Sequence, residues 1–260
     1  MTKRFQDKVA VVTGSASGIG AAVSRMLIEE GALVVGADIG EAAQTALAAD
    51  LGERYIPVSA NVTVEAEVKD LVGVAMERFG RLDLGFNIAG GGRLSMLMEM
   101  SETDWDFTVD LCLKGVFLST KHEAAAMAPG SAIVNVASLN AHVPAHGFSA
   151  YTSAKAGVEM FSRNAALELA GRGIRVNCVL PGLVETPATG PFVSNQAILS
   201  AFMERIPAKR PAQPAEIAAP CLFLASAEAS YVSGSSLLVD GAWGTTGYPD
   251  LRTWIGEFKP

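Results

Sequence analysis

The strongest fold signal in this chain of 260 residues is the stretch Val9-Ala10-Val11-Val12-Thr13-Gly14-Ser15-Ala16-Ser17-Gly18-Ile19-Gly20. Its first part is a continuous apolar run, which is typical of a strand covered by helices on both faces. Its second part spaces glycines as G-x3-G-x-G ahead of a helical pattern. Such glycines allow a tight turn and close approach to a pyrophosphate, and the helix N-terminus adds N–H donors. We therefore predict a dinucleotide site whose contacts are Gly14, Ser17, Gly18, Ile19 and Gly20.

The rest of the chain repeats this alternation of short apolar runs and longer helical patterns. The predicted strands are Val9–Thr13, Leu33–Ala37, Tyr55–Ser59, Leu84–Asn87, Ala132–Ala137, Arg175–Leu180 and Ser236–Val239. The predicted helices cover residues 19–30, 41–51, 64–79, 103–127, 150–170 and 215–226. This alternation predicts an α/β fold over residues 1–260, a single-domain Rossmann-like doubly wound parallel sheet of about seven strands with helices on both faces.

Composition argues against several classes of protein. Half of the residues are hydrophobic and the net charge is -7, so a disordered chain is not expected. Lys and Arg total 20 against 27 Asp and Glu, with no basic run to bind a nucleic-acid backbone. No apolar stretch approaches the ~20 residues of a membrane span, and the N-terminus lacks a signal-peptide pattern. Cys112, Cys178 and Cys221 have neither metal-site nor disulfide spacing, which predicts a reducing compartment and no structural metal. Taken together, these features lead us to expect a cytoplasmic protein without metal, nucleic-acid or membrane partners.

The acidic residue Asp38 ends the second predicted strand, 18 positions beyond Gly20. A carboxylate there accepts hydrogen bonds from an adenosine ribose and repels a 2′-phosphate. No arginine lies near Ser15 or Ile39 to bind such a phosphate. We therefore predict NAD rather than NADP as the cofactor, and the alternative interpretation of Asp38 is a solvated loop carboxylate.

Three polar residues form a candidate catalytic group. Tyr151 and Lys155 are four positions apart in a predicted helix, so both project from one face. Ser138 leaves the fifth predicted strand 13 residues before Tyr151, at the sheet edge where ligands of such folds bind. Tyrosine ordinarily ionises near pH ~10, so a tyrosinate base near neutrality needs adjacent positive charge, which Lys155 supplies. We predict that Tyr151 moves the hydroxyl proton, Ser138 binds the same oxygen, and hydride passes to or from a nicotinamide.

In order and spacing, these motifs resemble the short-chain dehydrogenase/reductase family from Val9 to about Trp243. The matches are Thr13-Gly14-x3-Gly18-x-Gly20 to TGxxxGxG, Asn87-Ile88-Ala89-Gly90 to NNAG, Ser138, Tyr151 and Lys155 to the family's Ser, Tyr and Lys, Pro181-Gly182 with Thr186 to PGxxxT, and Tyr231–Gly234 with Val239–Gly241 to the last loop and strand. The resemblance implies further cofactor contacts at Asn61, Val62, Asn87, Ala89, Gly90, Tyr151, Lys155, Pro181, Gly182, Val184 and Thr186. It also implies a tetrameric assembly, so we expect a homotetramer.

Three positions depart from the family pattern. Ile88 replaces the second Asn of NNAG, and Asn61 replaces an Asp expected beside the adenine. Cys112 stands where the family has an Asn that helps to hold a water linking the Lys to solvent, and a thiol is a weak substitute for an amide. Either the proton relay is altered, or Cys112 is a small buried side chain that packs a helix.

The segments expected to wall the substrate are apolar. They contribute Leu94, Met96, Leu97 and Met98, then Leu139, Val143, Pro144 and Phe148, and in the Pro-rich excursion Phe192, Val193, Ile198, Leu199, Phe202, Met203 and Ile206. We predict a substrate lid at residues 188–210, with a helix packed on the core as the alternative. Together with the lack of a basic cluster, this favours a small apolar secondary alcohol or ketone, alicyclic and resembling a terpenoid or a steroid.

Two other features have plainer interpretations. His142 and His146 lack a third metal ligand and flank Pro144, so we expect them to line the cleft or lie on the surface. The tail at residues 245–260 is apolar, which predicts packing against a neighbouring subunit.

Two competing functions stay open. One is a 3-oxoacyl-carrier reductase, which predicts a basic residue in the cradle and a basic docking patch. The other is a non-catalytic NAD(H)-binding sensor, which Cys112 suggests and the intact Ser138, Tyr151 and Lys155 oppose.

Overall fold

The computed structural model describes residues 3–246. One sheet contains β1 (Val9–Thr13), β2 (Leu33–Asp38), β3 (Tyr55–Ser59), β4 (Leu84–Asn87), β5 (Ala132–Val136), β6 (Arg175–Pro181) and β7 (Ser236–Val239). The strand order is β3-β2-β1-β4-β5-β6-β7 and all neighbours are parallel. The predicted doubly wound sheet is confirmed. Since the direction of winding changes between β1 and β4, their carboxyl ends border the crevice in which such folds bind ligands.

All six regions predicted as helices are helical, one of them is divided, and two further helices lie in the region predicted as a lid. The helices are α1 (Gly18–Glu29), α2 (Glu41–Leu51), α3 (Glu65–Phe79), α4 (Glu102–Val109), α5 (Gly115–Ala126), α6 (Ser149–Leu169), α7 (Gly190–Val193), α8 (Gln196–Arg205) and α9 (Pro214–Ala225). The predicted helix over 103–127 is divided, because a π-helical turn at Asp110–Lys114 joins α4 to α5. Such turns widen a helix locally and are frequent at functional sites.

The core has two layers, one on each side of the sheet. Alternate residues of β1 point to opposite sides, so Val12 packs into the layer that contains α1 and α9, and Val11 packs into the layer that contains α3. All five β1 residues are buried. This double burial explains why inner strands such as β1 are continuous apolar runs, whereas the edge strands β3 and β7 are partly exposed.

The predicted lid begins with a 3-10 turn at Pro187–Thr189 and continues through α7 and α8. Ile206 is buried at the end of α8, whereas Ile198 remains exposed. Among residues 3–246, no helix is both long and apolar enough to cross a membrane. The predicted packing of the tail concerns residues 245–260, of which all beyond 246 lie outside the described residues.

Candidate active site

Three loops at the carboxyl ends of β1, β4 and β6 meet around the predicted glycine cradle. Gly14 has φ +66°, and a Cβ placed on it would lie 2.8 Å from Ala89 Cα. A Cβ on Gly20 would collide with the carbonyl oxygen of Gly14. Gly18 has φ +50°, and its Cβ would lie 3.0 Å from Thr186 Cγ2. Glycine is therefore required at all three positions, and the close packing brings residues from three predicted cofactor motifs together.

The N-terminus of α1 faces this cradle. Ser17 is the N-cap residue, with φ -149° and ψ 169°, but its side chain makes no capping hydrogen bond. The first turn of α1, which contains Ile19, holds no acidic side chain. Backbone N–H groups at such a helix end attract an anion. The arrangement thus fits the pyrophosphate of a dinucleotide at the predicted contacts.

The Asp38 carboxylate is held in a fixed position beside the cradle. Its Oδ2 accepts from Ala16 N at 3.1 Å, and its Oδ1 accepts from Gly40 N at 3.0 Å. Ile39, the next residue, is 73% exposed, so an apolar surface is presented alongside the carboxylate. These groups match the ribose and adenine of a dinucleotide in polarity.

A buried chain of hydrogen bonds links the cradle residue Ser15 to β3 and α2. The sequence did not indicate these contacts. Ser15 Oγ lies 2.8 Å from the Tyr55 hydroxyl, which in turn donates to Gln44 Oε1. Gly36 leaves the necessary space, since a Cβ there would collide with the Tyr55 hydroxyl. Burial raises the pKa of Tyr55 to about 12, so this phenol stays neutral and acts as a structural hydrogen-bonding group.

Asn61 and Val62 lie in the loop after β3. Asn61 Oδ1 accepts from Thr63 N at 3.0 Å and from Thr63 Oγ1 at 2.9 Å. Val62 is buried against α5, where a Cβ on Gly115 would lie 2.8 Å from Val62 Cγ2. Because Asn61 Oδ1 already accepts two hydrogen bonds, the side-chain nitrogen Nδ2 is the group that can donate a hydrogen bond to an adenine.

The loop after β6 returns the chain to the cradle. Pro181 ends β6, and Gly182 packs so closely on the last loop that a Cβ there would lie 2.9 Å from Asp240 Cα. Val184 is buried. Thr186 then caps the 3-10 turn beside Gly18. Each of these predicted contacts therefore lies along one loop that ends at the cradle.

The predicted catalytic residues lie after the end of β5 and in the first turns of α6. The ammonium group of Lys155 is buried and donates to the carbonyl oxygen of Val136 at 2.8 Å. Its Nζ lies 5.7 Å from the centroid of the Tyr151 ring. Ser138 Oγ accepts from Asn140 N at 3.1 Å, and the short turn that Ser138 begins packs against α6. The three predicted catalytic residues are thus brought to the same end of the sheet.

Asn87 ends β4, but its side chain points into the protein. Asn87 Nδ2 donates to Asn135 Oδ1 at 2.9 Å and to Glu123 Oε2 at 3.0 Å. The next residues, Ile88 and Ala89, direct their backbone N–H groups to Thr13 Oγ1. A cofactor contact in this segment therefore has to come from Ala89, Gly90 or backbone atoms.

Cys112 lies in the π-helical turn beside Lys155. Its thiol donates to the carbonyl oxygen of Gly91 at 2.9 Å and accepts from Gly91 N at 3.5 Å. A Cβ on Gly90 would lie 3.2 Å from Lys155 Nζ and 3.7 Å from Cys112 Sγ. The buried thiol therefore fastens the π-helical turn to the glycine turn after β4, which agrees better with a packing role than with a reactive one.

An arc of aromatic rings extends from Tyr151 to the lid. Tyr151 contacts Phe148 with ring centroids 6.1 Å apart, and Phe148 contacts Phe192 at 6.4 Å. Phe192 contacts Phe202 at 6.1 Å, and Phe202 meets Trp243 edge-on at 5.4 Å. The arc joins the loop before α6, both lid helices and the last loop. It places apolar surface on one side of Tyr151, the predicted proton carrier.

The two histidines considered as metal ligands have different surroundings. His142 Nε2 lies 2.7 Å from Glu159 Oε2, and Arg163 donates to Glu159 Oε1 at 2.7 Å. Burial acts to raise the pKa of Glu159, but its hydrogen bonds and the charges of His142 and Arg163 outweigh burial and lower it. His142 thus belongs to a polar cluster with Glu159 and Arg163 of α6. His146 lies in the loop before that helix.

The comparisons with known proteins agree with this geometry. Residues 14–244 match the family model described as Enoyl-(Acyl carrier protein) reductase. A crystal structure from Brucella melitensis, titled a short-chain dehydrogenase/reductase, SDR:Glucose/ribitol dehydrogenase, superposes with TM-score 0.89 at 34% identity, covering 94% of this chain and 99% of that chain. This chain belongs to the short-chain dehydrogenase/reductase family.

Two relatives illustrate the enzymes to which the chain is similar. The chain is 39% identical over 245 residues to the 3-oxoacyl-[acyl-carrier-protein] reductase FabG of Thermotoga maritima. This match covers 92% of this chain and 98% of that protein. It is 38% identical over 249 residues to the cyclohexanol dehydrogenase of Acinetobacter sp., with 94% and 97% covered. The chain is therefore a member of an oxidoreductase family that uses nicotinamide cofactors.

Proposed function

We propose that this protein is an NAD-dependent dehydrogenase that interconverts an apolar, alicyclic secondary alcohol and its ketone. The observation that carries the proposal is the aromatic arc, which starts at the catalytic Tyr151 and ends at Trp243. Such a wall favours a bulky apolar ring over a flexible polar chain. The cyclohexanol dehydrogenase relative supports a cyclic substrate.

The site residues provide the proton chemistry of such a reaction. When bound, the nicotinamide ring donates or accepts the hydride. Tyr151 accepts the proton of the alcohol, and the positive charge of Lys155, held by the Val136 carbonyl, stabilises the phenolate. Ser138 Oγ accepts a hydrogen bond from Asn140 N and donates a long one, 3.4 Å, to Asn140 Oδ1, and in the proposed reaction this hydroxyl turns to donate to the reacting oxygen. In the reduction direction Tyr151 returns the proton.

NAD is the proposed cofactor because Asp38 occupies the edge of the cradle. Its carboxylate has both oxygens fixed by backbone N–H groups, so it keeps a negative charge where a 2′-phosphate would lie. The two ribose hydroxyls of NAD can instead donate to the remaining lone pairs.

The loop after β4, which borders the proposed substrate site, is rich in apolar residues and contains one cation, Arg93. The loop after β4 exposes Leu94, Met96, Leu97 and Met98. Arg93, on the same loop, donates to Asp104 Oδ1 at 2.6 Å and lies over the ring of Phe107. Because the Arg93 guanidinium is already paired with Asp104, it is not left to bind a charged group of the substrate, which favours an uncharged substrate.

The lid segment, residues 188–210, gives a prediction about substrate affinity. Phe192→Ala removes the ring between Phe148 and Phe202 and breaks the arc. We expect KM for a cyclic alcohol to rise about tenfold, equivalent to about 1.4 kcal/mol of lost contact, with kcat changed less than threefold, about 0.6 kcal/mol. The control is Ile198→Ala, an exposed apolar residue of the same lid outside the arc. Equal effects of the two substitutions would contradict a role of the arc in substrate binding.

The decisive experiment measures absorbance of the reduced cofactor. The purified chain is supplied with NAD⁺ or NADP⁺ and with cyclohexanol, borneol and a hydroxysteroid, and Tyr151→Phe is the control. Turnover with NAD⁺ that the substitution abolishes supports the proposal. Absence of turnover across the panel, with NADH still bound, contradicts it and favours an NAD(H)-binding sensor.

A second candidate function is reduction of a 3-oxoacyl group on a carrier. It is favoured by the 39% identity to the Thermotoga maritima reductase. It is opposed by Ser17 in the cradle, where no basic side chain is present. An acetoacetyl thioester with NADPH distinguishes the two candidates, because turnover with it above that with cyclic ketones would favour the carrier reductase.

We also propose that the protein is a cytoplasmic homotetramer. The exposed apolar residues Phe117 on α5 and Met160 and Leu167 on α6 form one candidate interface. Phe223 on α9 and Leu237 on the edge strand β7 are further exposed apolar residues. Light scattering combined with size-exclusion chromatography tests the assembly, and a monomer at micromolar concentration would contradict it.

A further inference from the structure

Glu123 is a completely buried carboxyl group on α5 that the proposed reaction does not use. Its exposed fraction is 0%, and it faces β4, where a Cβ on Gly85 would collide with its carboxylate. Gly85 therefore makes space for Glu123 beside the backbone of β4. Within residues 3–246, no ion pair includes Glu123. A buried carboxylate without a cation is costly, so a second stabilising feature is needed.

Two buried oxygens, one on Glu123 and one on its partner Asn87, lack a hydrogen-bond donor within residues 3–246. Asn87 Nδ2 donates to Glu123 Oε2 at 3.0 Å. In the described part of the chain, Glu123 Oε1 and Asn87 Oδ1 are both buried and have no hydrogen-bond partner. A carboxylate accepts only, but a protonated carboxyl group also carries one O–H donor. One proton on Glu123 therefore supplies the donor that this pair lacks.

We propose that Glu123 is a neutral carboxylic acid that forms a two-hydrogen-bond pair with the Asn87 amide, and that this pair positions the cofactor turn after β4. Asn87 Nδ2 donates to the carboxyl group, and the carboxyl O–H donates to Asn87 Oδ1. Burial raises the pKa of Glu123 to about 8, and the hydrogen bond from Asn87 lowers it only in part. The acid is therefore protonated near neutrality.

The Glu123–Asn87 pair is connected to the proposed cofactor turn along the chain and to Lys155 across the sheet. Asn87 is followed by the Ile88–Gly90 turn, which carries the proposed cofactor contacts. Asn87 also donates to Asn135 Oδ1 at 2.9 Å, directly across from it in the sheet. The residue after Asn135 is Val136, whose carbonyl holds Lys155. The positioning role thus rests on the proposed cofactor site, whereas the neutral acid does not.

The charged groups around Glu123 are paired with other residues. On α5 itself, Lys121 and His122 contact Glu65 of α3, and in the π-helical turn Lys114 pairs with Asp110. On α6, Lys155 donates to Val136, and at the start of β4 Asp83 pairs with Lys8 and Arg81. The titration of Glu123 is consequently governed by burial and by Asn87.

The neutral acid is tested by Glu123→Gln, which keeps the shape and the two hydrogen bonds but cannot ionise. An unfolded Glu loses its proton near its ordinary pKa of 4.5, whereas the folded one keeps it to about 8, so the wild type loses stability as pH rises through this interval. We expect the Tm difference, Gln variant minus wild type, to increase over that interval and to level off above it. The wild type should also show the infrared C=O stretch of a protonated acid, and the variant should lack that band.

The matched control is Ser119→Ala on the same helix. Ser119 Oγ is also buried without a partner in residues 3–246, but it cannot titrate. Its Tm difference from the wild type should be independent of pH. A pH-independent difference for Glu123→Gln, together with no acid C=O band, would overturn the neutral acid.

The positioning role is tested by NADH affinity without any substrate. Ionisation of Glu123 breaks the pair, so the NADH dissociation constant of the wild type should rise about fivefold above about pH 8 relative to Glu123→Gln. Identical pH profiles in the two proteins would overturn the positioning role. Because neither test requires turnover, failure of the proposed alcohol substrate leaves both results interpretable.

Discussion

Replacement of Tyr151 by phenylalanine is expected to lower kcat/KM about 1000-fold, equivalent to about 4 kcal/mol of transition-state stabilisation. The substitution removes only the hydroxyl that carries the proton. The ring contact with Phe148 at 6.1 Å does not involve that hydroxyl, so the apolar wall stays intact. NADH affinity should therefore change less than about twofold, as measured by fluorescence titration beside the turnover assay.

The control for this substitution is Tyr231→Phe, because Tyr231 is fully exposed. Its kinetic constants should equal those of the wild type. Appreciable turnover by Tyr151→Phe would mean that another group moves the proton. Ser138 would then be the group to test, since it lies at the same end of the sheet and its hydroxyl makes only a long hydrogen bond, 3.4 Å, to Asn140 Oδ1.

The inner strands were predictable because they are buried on both faces, and the partly exposed edge strands β3 and β7 were found by their short runs of strand-forming residues. β1, β3, β4 and β7 have the predicted bounds, and the other strands differ by one residue at one end. A strand covered on both faces has no solvent side, so its sequence is a short apolar run that local pattern detects. The glycine cradle was equally visible, since positive φ at Gly14 and Gly18 demands glycine regardless of the rest of the fold.

The π-helical turn at Asp110–Lys114 could not be predicted from the pattern. One extra residue in a helical turn leaves the apolar spacing on either side almost unchanged. The position of Cys112 was identified as unusual, but its two hydrogen bonds with Gly91 join segments 21 residues apart. Only the folded chain shows that the thiol connects the two turns.

The buried polar pairs were missed for the same reason. Ser15 meets Tyr55 across 40 residues, and Asn87 meets Glu123 across 36. Neither separation follows a helix or strand period, so no local pattern indicates it. One signal was present: Gly85 in the middle of an apolar strand indicates that another group approaches the backbone closely.

The largest specificity effect is expected for the choice between NAD⁺ and NADP⁺. The wild type should use NAD⁺ at least about 100-fold more efficiently, and Asp38→Asn should lower this ratio about 30-fold, close to 2 kcal/mol. The carboxylate is fixed by Ala16 N at 3.1 Å and Gly40 N at 3.0 Å, so it cannot turn away from a 2′-phosphate. Asparagine keeps the shape and one accepting oxygen, and removes the charge. The measurement is kcat/KM for each cofactor at constant ionic strength.

Two further measurements distinguish repulsion by the Asp38 charge from steric exclusion of the 2′-phosphate. Glu41→Gln removes an exposed acid from the first turn of α2, and it should leave the cofactor ratio unchanged because it does not contact the cradle backbone as Asp38 does. Added salt should lower the wild-type ratio, since screening weakens the repulsion between exposed charges. A ratio that Asp38→Asn does not change would mean that the space around Ala16 and Gly40 excludes the phosphate sterically. In that case Asp38 acts through its hydrogen bonds to the two backbone N–H groups, and its charge is incidental to cofactor choice.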